Sequence, residues 1–377
     1  MQNYTDKFRG SPGRDGASSY KVPQENHRPA KTLPPFVDRG WRAGLPACAN
    51  VDLAQRVPAI VAVGGGKGGA GKSLLSANLG AQLANAGRKV LLIDLDLGAA
   101  NLHTYFGIGI PNKNLAQFLV YQNIPFRSIQ LPSGIDGLQI ICGGRDESWA
   151  DMGEFGFGSF SLLWDALLGA ECGEFDVVLL DLGAGIQKYT IDFFTSAHLG
   201  IVTVLPEATS IENSYSFLKA TLIRLIENSG LRSSSCAAAD EVRQQLFHSG
   251  SSLGKGGYLR KLESLRATYP ELVDHLLSAL KGRNLGLVVN QVRSQRDIDV
   301  GQSMVSVTRS YFGFDALYLG HLNYDDAAWK SLRNNRLLTV DFPYSLLARR
   351  IYEISRTVDT TVGLAPTNSS KVRRKVL

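Results

Sequence analysis

Residues 61–80, VAVGGGKGGAGKSLLSANLG, decide the fold of this 377-residue chain. Within them, residues 66–73 read GKGGAGKS and match the phosphate-binding pattern G-x-x-x-x-G-K-[ST]. An apolar run typical of a strand, AIVAV (59–63), precedes the loop, and an amphipathic pattern typical of a helix follows it over 73–87. A chance glycine-rich turn seldom has both neighbours in register, so the stretch predicts a nucleotide-binding loop between a strand and a helix.

The residue types in this loop explain its chemistry. Glycines let successive backbone N–H groups turn toward phosphate oxygens, and the N-terminus of the following helix adds partial positive charge. Lys72 is placed to reach the β- and γ-phosphates, and the Ser73 hydroxyl is a ligand for Mg²⁺. We therefore expect ATP and Mg²⁺ as ligands. The candidate nucleotide-binding residues in the loop are Gly66, Lys67, Gly68, Gly69, Ala70, Gly71, Lys72, Ser73 and Leu74.

Carboxylates follow two further apolar runs. Asp94 and Asp96 end KVLLIDLD, and Asp181 ends FDVVLLD. Because parallel strands bind ligands at their carboxyl ends, we expect all three side chains to converge on the loop at 66–73. Ser73, Asp96 and Asp181 are the predicted metal-site residues. For Asp94, a direct role and a role in bracing the following loop are both open.

Short apolar runs recur along the chain, with longer amphipathic stretches between them. The runs are continuous rather than alternating, as in strands that are buried on both faces. This alternation predicts an α/β fold with a doubly wound, mostly parallel sheet flanked by helices. After 59–63 the predicted strands are KVLLID (89–94), LQIICG (138–143), FDVVLLD (175–181), GIVTVLP (200–206), LGLVVN (285–290) and LYLGHL (317–322).

Composition divides the chain into three parts. Residues 1–58 hold seven of the fourteen prolines and lack apolar periodicity, which predicts a flexible basic arm. Residues 59–358 form the predicted P-loop ATPase domain, and residues 359–377 a basic flexible tail. Within the domain, leucines at helical spacing predict a helical insertion at about 231–283. This insertion is either a functional segment or a surface excursion without a role of its own.

The charge distribution narrows the choice of partner. The net charge is +6, but residues 1–58 carry nine basic and five acidic side chains, and the last eleven residues carry four basic ones and no acid. Residues 59–366 therefore carry a net charge of about −2. The predicted domain lacks the basic excess of a nucleic-acid-binding face, and specific nucleic-acid binding is not expected.

Cysteine usage and hydropathy point to the cytoplasm. The four cysteines stand far apart, without a CxxC pair or metal-ligand spacing, which fits a reducing compartment. The sequence contains no run of about 18 apolar residues, which is the length that a helix needs to span a bilayer. The N-terminus has no apolar core behind its basic residues, so a secretory signal is not expected. The basic tail predicts either a solvated segment or a weak, reversible attraction to the inner face of the plasma membrane.

The loop with both Lys67 and Lys72 resembles the deviant Walker A motif of the MinD/ParA ATPase superfamily, whose mark is the extra lysine. The resemblance covers about 59–228 and 284–355. The stretch LDLGAGI corresponds to the second switch loop of this superfamily. It lacks the proline that is usual in MinD, and this absence favours the FlhG (FleN) branch. Other stretches similar to the MinD and FlhG branch are IDLDLGAANL (93–102), LDLGAGI (180–186), PEATSIENSY (206–215) and VVNQV (288–292).

This resemblance implies an ATP-dependent homodimer in which two subunits enclose two ATP molecules. Lys67 would cross the interface to the other subunit's phosphates, Asp96 would orient the attacking water, and Asn290 would contact the adenine edge. Lys67, Lys72 and Asp96 are thus the catalytic candidates. ATP would hold the dimer together and hydrolysis would release it. The implied function is that of a spatial regulator of flagellar number or position or of the division site, with an unknown protein partner such as a flagellar or polar assembly factor.

Other functions remain as alternatives. A ParA-like DNA partition ATPase needs a basic face, against which the charge of residues 59–366 counts. A non-hydrolysing ATP-binding scaffold stays open, although every nucleotide-site position is present. A metal-cluster carrier needs a cysteine pair and a bacterial tyrosine kinase needs a C-terminal tyrosine cluster, and the sequence offers neither. The arm offers only DLAQR (52–56), which does not match the activating motif D-Q-A-x-x-L-R found in FlhG proteins.

Overall fold

The computed structural model describes residues 57–364, with gaps at 98, 110, 122, 145–156, 170, 233–235 and 248–256. The predicted arm lies outside the described residues except for 57 and 58. The predicted tail lies outside them from residue 365 onward. The division of the chain into arm, domain and tail therefore stays a prediction.

Eight strands form one sheet in the order β3-β4-β2-β5-β1-β6-β7-β8. All neighbouring strands are parallel except β3 and β4, which confirms the predicted α/β architecture. Each of the seven predicted strands is present, and the two-residue β3 is the addition. The strands are β1 Ala59–Gly64, β2 Val90–Leu95, β3 Leu131–Pro132, β4 Leu138–Ile141, β5 Val177–Leu182, β6 Leu199–Val204, β7 Asn284–Val292 and β8 Asp315–Asn323.

Helices flank the sheet on both faces. Among the described residues, the α-helices are α1 Lys72–Asn85, α2 Leu115–Tyr121, α3 Phe157–Leu168, α4 Lys188–Ser196, α5 Ala208–Arg232, α6 Cys236–Phe247, α7 Gly257–Ser264, α8 Pro270–Lys281, α9 Gln295–Val307, α10 Ala327–Arg333, α11 Leu338–Asp341 and α12 Leu346–Thr361. A π-helical turn, Thr308–Phe312, continues α9.

Strand β1 is continuously apolar because it supplies both cores. Ile60 and Ala62 belong to the core under α3, α4, α5 and α9, whereas Val61 and Val63 belong to the core under α1 and α12. All four side chains are fully buried. Since successive residues of a strand point to opposite faces, a strand covered on both faces has no place for a polar alternation.

The segment predicted as a helical insertion contains helices α6, α7 and α8. Their buried side chains, among them Val242, Leu262 and Leu276, join the same core as α5. The predicted start at residue 231 falls inside α5, which continues to Arg232. The helices therefore extend a core of the domain, and their boundary follows the end of α5.

The last helix differs from the sequence expectation in its bounds. The helical spacing over 341–358 predicts the last helix of the core, whereas α12 begins only at Leu346, after Asp341 has ended α11, and continues to Thr361. A two-pronged ion pair holds this end, since the Arg88 guanidinium donates to Asp359 at 2.8 and 3.0 Å. In the part of the chain that the structure describes, no helix has the length and apolarity needed to span a membrane.

Candidate functional site

The predicted phosphate loop connects β1 to α1 at the centre of the sheet, where β1 lies between β5 and β6. Lys72 is the first residue of α1 and is 7% exposed. The N-terminus of α1 therefore opens on the loop, with its free backbone N–H groups and the positive end of its dipole. The strand, loop and helix stand in the predicted order.

The inner side of the loop lies against two neighbouring elements. A Cβ at Gly66 would lie 2.1 Å from the backbone oxygen of Asn213 on α5. At Gly71 it would lie 2.0 Å from Nδ2 of Asn290 at the end of β7, and this glycine has a φ of 90°. Both positions exclude any side chain, and Gly71 also needs a backbone conformation that L-residues avoid.

The outer side of the loop is open. At Gly68 and Gly69 a Cβ would meet nothing within 4 Å, so these backbone groups face free space. Lys67 also lies on this side, with 30% of its side chain exposed. Its ammonium donates to Glu207 at 2.6 Å and to Thr209 at 3.3 Å, at the start of α5. The loop thus offers a free surface for an anion and a lysine held at its rim.

Asp181, at the end of β5, is buried beside α1. Its carboxylate accepts a hydrogen bond of 2.8 Å from the Ser76 hydroxyl. Burial raises the pKa of Asp181, whereas hydrogen bonds from Ser73 and Ser76 and the charge of Lys72 oppose that rise. The structure thus brings the loop lysine, the loop serine and the strand-end carboxylate together, as the sequence predicts.

Asp94, at the end of β2, is fully buried and pairs in register with Asp181. One of its carboxylate oxygens accepts from the backbone N–H of Asp96 at 3.1 Å, and the other from that of Leu102 at 3.0 Å. Burial and then the charge of Asp181 raise the pKa of Asp94. Of the two roles left open by the sequence, these bonds favour the bracing of the loop that begins at Asp96.

Asp96 lies where the loop after β2 meets the loop after β5, which belongs to the second switch LDLGAGI (180–186). It is half-buried, and a Cβ at Gly183 would lie 3.0 Å from its carboxylate oxygen. The backbone N–H of Gly185 in turn donates to the carbonyl of Gly65 at 3.2 Å. The ends of β2, β5 and β1 therefore place Asp96 and both loops at one edge of the sheet.

The oxygen donors at this edge suit Mg²⁺. Among the described residues, no three His, Cys, Asp or Glu side chains are grouped to enclose a metal ion. Mg²⁺ bound with a nucleotide needs no such cage, because phosphates and water supply most of its ligands. The donor set of Ser73, Asp96 and Asp181 consists entirely of hard oxygen atoms, which fits this ion. Their assignment as metal-site residues stays a prediction.

Asn290 is 4% exposed and braces the phosphate loop. Its Nδ2 donates to the carbonyl of Ala70 at 2.9 Å, and its Oδ1 accepts from the backbone N–H of Gln291 at 2.8 Å. Gln291 has a φ of 58° at a register shift between β7 and β8. Both ends of the Asn290 amide are engaged within the chain, and its contact with an adenine edge stays a prediction.

Four further residues belong to this site and are absent from the sequence-based set: Ser76, Glu207, Thr209 and Asn213. Ser76 follows Lys72 by one helical turn, so the helical period could have placed it on the loop side. The other three lie in PEATSIENSY (206–215), one of the stretches similar to the MinD and FlhG branch. Their place at the loop has no signal in the spacing, because they reach it only when β6 pairs with β1 and carries the start of α5 there.

Residues 61–338 match the family described as the CobQ/CobB/MinD/ParA nucleotide binding domain. The chain belongs to this family. The match extends over most of the chain and includes every predicted site residue, which confirms the resemblance to MinD/ParA ATPases.

Curated relatives share about 30% identity with part of the chain. The antiactivator FleN of Pseudomonas aeruginosa is 32% identical over 165 residues, which cover 42% of this chain and 55% of FleN. The flagellum site-determining protein YlxH of Helicobacter pylori is 30% identical over 162 residues, 42% of this chain and 52% of YlxH. The septum site-determining protein MinD of Helicobacter pylori is 28% identical over 170 residues, 41% of this chain and 56% of MinD. The chain spans about half the length of these relatives.

Solved structures show the same fold. MinD of Pyrococcus horikoshii, complexed with Mg-ADP, superposes with a TM-score of 0.53 at 19% identity, covering 81% of this chain and 98% of that one. A ParA family ATPase from Chlorobium tepidum gives 0.52 at 14% identity, covering 80% and 98%. At these identities the likeness establishes the P-loop fold of MinD and ParA and nothing finer.

Proposed function

We propose that this protein is a Mg²⁺-dependent ATPase that acts as a dimerisation switch. The observation that carries the proposal is the different setting of the two loop lysines. Lys72 is buried at the base of the loop near Asp181, whereas Lys67 is half-buried at its rim and paired with Glu207. One lysine serves the phosphates within the subunit, and the second can serve those of another subunit once it leaves Glu207.

In this proposal hydrolysis depends on placement and charge, as in other phosphoryl transfers. Loop N–H groups and Lys72 would hold the phosphates, and Ser73, Asp96 and Asp181 would hold Mg²⁺. When bound, this ion would supply positive charge that offsets the negative charge of the phosphates. Asp96 would accept a hydrogen bond from the attacking water and direct it at the γ-phosphorus. The water oxygen bonds to that phosphorus while the bond to the bridging oxygen breaks, so ADP and inorganic phosphate leave, and the protons of the water pass to the phosphate.

The other subunit completes the site. Its Lys67 would leave Glu207, cross the interface and neutralise charge that develops on the transferring phosphoryl group. Asn290 is retained as the adenine contact, in which its amide would exchange the Ala70 carbonyl for the base. Because Lys67 reaches phosphate only in the dimer, ATP stabilises the dimer and its hydrolysis releases the two subunits.

The cellular role is proposed from the relatives. FleN is an antiactivator, and YlxH and MinD determine the site of a flagellum or a septum. We place this protein among such cytoplasmic spatial regulators, on the FlhG side, with a flagellar or polar assembly factor as its protein partner. The basic tail adds at most a weak attraction to the inner membrane surface.

Light scattering after size-exclusion chromatography, combined with phosphate release, tests the proposal. We expect the wild-type protein to dimerise with Mg²⁺-ATP but not with ADP, and to release phosphate. Lys72→Ala should lose ATP binding by calorimetry, whereas Lys67→Ala should bind ATP and stay monomeric. Lys330→Ala, on α10, is the matched lysine control.

Two results would contradict the switch: a wild-type protein that stays monomeric with ATP, or a Lys67→Ala variant that dimerises like wild type. ATP-dependent dimerisation without phosphate release would instead support the non-hydrolysing scaffold.

A further inference from the structure

A cavity of about 340 Å³ lies outside the nucleotide site. It is open to solvent and is bordered by α5, α7, the end of α9 and the π-helical turn that follows α9. Its walls include Tyr215 and Lys219 of α5, Tyr258 of α7, and Tyr311 and Phe312 of the turn. No residue of the phosphate loop lines it. The cavity therefore has its own set of side chains, which the nucleotide site does not use.

The aromatic walls of the cavity are preformed. The ring of Tyr258 lies 5.4 Å from that of Tyr311, nearly perpendicular to it, and 5.5 Å from that of Phe312. The ring of Tyr215 stacks on Phe312 at 6.1 Å. Gly257 admits Tyr311, because a Cβ there would lie 2.2 Å from its ring. Because these rings hold one another in place, a ligand could bind without a large rearrangement of the side chains, as in most small-molecule sites.

The polar groups around the cavity are donors. The hydroxyls of Tyr215, Tyr258 and Tyr311 make no hydrogen bond to any described residue. Lys219 has no acidic partner in the described part of the chain, and its ammonium lies 5.5 Å from the ring of Phe247. A ligand that accepts hydrogen bonds and carries negative charge therefore complements these groups, which have no such partner among the described residues.

The charge of Lys219 decides between two kinds of ligand. Aromatic walls alone would also suit an organic cation, which is attracted to the faces of such rings. An ammonium group in the wall repels a second cation and attracts an anion. The volume of about 340 Å³ equals roughly eleven water molecules, so it fits a ligand of one or two rings.

We propose that this cavity binds a small anion with a planar aromatic body, an aryl carboxylate or an aryl phosphate. The aromatic body would lie among the tyrosine and phenylalanine rings, and the acidic group would pair with Lys219 and accept from the tyrosine hydroxyls. The site is independent of the proposed ATPase activity, since its lining residues take no part in nucleotide binding.

Isothermal titration of the full chain without nucleotide tests this proposal with three matched probes: naphthalene-1-carboxylate, 1-naphthyl phosphate and 1-naphthylmethylammonium. At least one anion should bind in a 1:1 ratio and at least tenfold more tightly than the cation, and the better anion identifies the acidic group. Lys219→Met, which keeps the length of the side chain, should weaken the binding of that anion at least tenfold. Lys219→Arg should bind that anion as wild type does. Lys330→Met is the control for the loss of a lysine elsewhere on the surface.

Tyr258→Phe is a second variant, which keeps the aromatic ring and removes one hydroxyl donor. It should weaken the binding of the anion severalfold. Thermal melting of each variant checks that the fold is intact. The proposal is overturned if neither anion binds at millimolar concentration, if the cation binds as well as the anions, or if Lys219→Met and Tyr258→Phe both bind like wild type. Because the titration contains no ATP, its failure leaves the proposed ATPase switch standing, and failure of the switch leaves this site standing.

Discussion

Asp94 and Asp181 stand side by side, in register on β2 and β5, with both carboxyl groups buried. Burial raises the pKa of each. Their partners differ. Asp94 accepts hydrogen bonds from two backbone N–H groups of the loop after β2, whereas Asp181 accepts one from the Ser76 hydroxyl on α1. Two adjacent carboxylates thus serve different elements, one the loop that carries Asp96 and the other the phosphate loop.

This division predicts different effects for the same substitution at the two positions. Asp181→Asn should lower the gain in ATP affinity that Mg²⁺ provides by about tenfold, or ~1.4 kcal/mol, because a carboxylate near the metal is replaced by a neutral amide. Asp94→Asn should keep that gain and lower turnover, because one of its two bonds to the loop of Asp96 is lost. Calorimetry with Mg²⁺ and with chelator measures the gain, and equal losses in both variants would contradict the assignment.

Removal of the Asp96 carboxylate should trap the ATP-bound dimer. The nucleotide and interface contacts persist in Asp96→Ala, but the attacking water loses its acceptor, and a positioned base contributes about 10²–10⁴-fold to a rate. Light scattering should therefore detect a dimer that outlives the wild-type one, together with little phosphate release. Asp136→Ala, at an exposed turn before β4, is the matched control. An Asp96→Ala variant that hydrolyses ATP normally, or stays monomeric with ATP, would refute the role.

Much of the fold could be predicted because its signals are local. The run at 59–63 is apolar throughout since both faces of β1 are covered, and the glycine-rich loop must follow it directly to meet the N-terminus of α1. Strand β3 could not be predicted in this way, because it consists of only two residues, Leu131 and Pro132, and two residues do not show a hydrophobic periodicity. The start of α12 at Leu346 escapes it as well, since the helical spacing over 341–358 does not show that Asp341 ends a separate short helix.

The rest of the site depends on contacts between distant parts of the chain. Lys67 and Glu207 are 140 residues apart, and Asn290 and Ala70 are 220 apart. No spacing within the sequence predicts such pairs, because they form only when β6 and β7 take their places beside β1. The tyrosine-lined cavity has the same origin, since its walls come from three helical segments that are adjacent only in the fold.

His198 should make stability depend on pH. Its Nδ1 accepts a hydrogen bond of 2.9 Å from the backbone N–H of Ile60, and burial lowers its pKa. The fold therefore holds the neutral ring: the stabilisation is present above the ordinary histidine pKa of about 6.5 and is lost as the pH falls below it. His198→Asn keeps an acceptor but removes the titrating group.

The melting temperature of His198→Asn should thus fall less between pH 7.5 and pH 5 than that of wild type. Thermal scans resolve the difference, since 1 kcal/mol corresponds to roughly 2 °C in a domain of this size. His321, on β8, is a half-buried histidine whose pKa burial also lowers, and His321→Asn shows whether the effect is specific to His198. Identical pH dependence in wild type and His198→Asn would show that His198 does not set it.

The ion pair between Lys67 and Glu207 should oppose dimerisation. The two groups lie 2.6 Å apart, with 30% and 54% of their side chains exposed, and exposed pairs contribute up to about 1 kcal/mol. If Lys67 serves the other subunit's phosphates, this pair must break before the dimer closes. Glu207→Gln should then lower the ATP concentration that gives half-maximal dimer, by up to about fivefold for 1 kcal/mol. Light scattering over an ATP titration measures the shift.

The neighbouring Glu212 supplies the control, because it lies exposed near the start of α5, which follows Glu207 directly, and forms no ion pair with any described residue. Glu212→Gln removes the same charge at the start of α5 without freeing Lys67, so a general electrostatic effect on the interface would move both variants alike. A shift in Glu207→Gln alone isolates the release of Lys67. Lys67→Ala,Glu207→Gln should stay monomeric with ATP, as Lys67→Ala does, since no lysine is left to release. If Glu207→Gln needs more ATP than wild type, Glu207 instead holds Lys67 in the position that the dimer uses, and the pair assists closure.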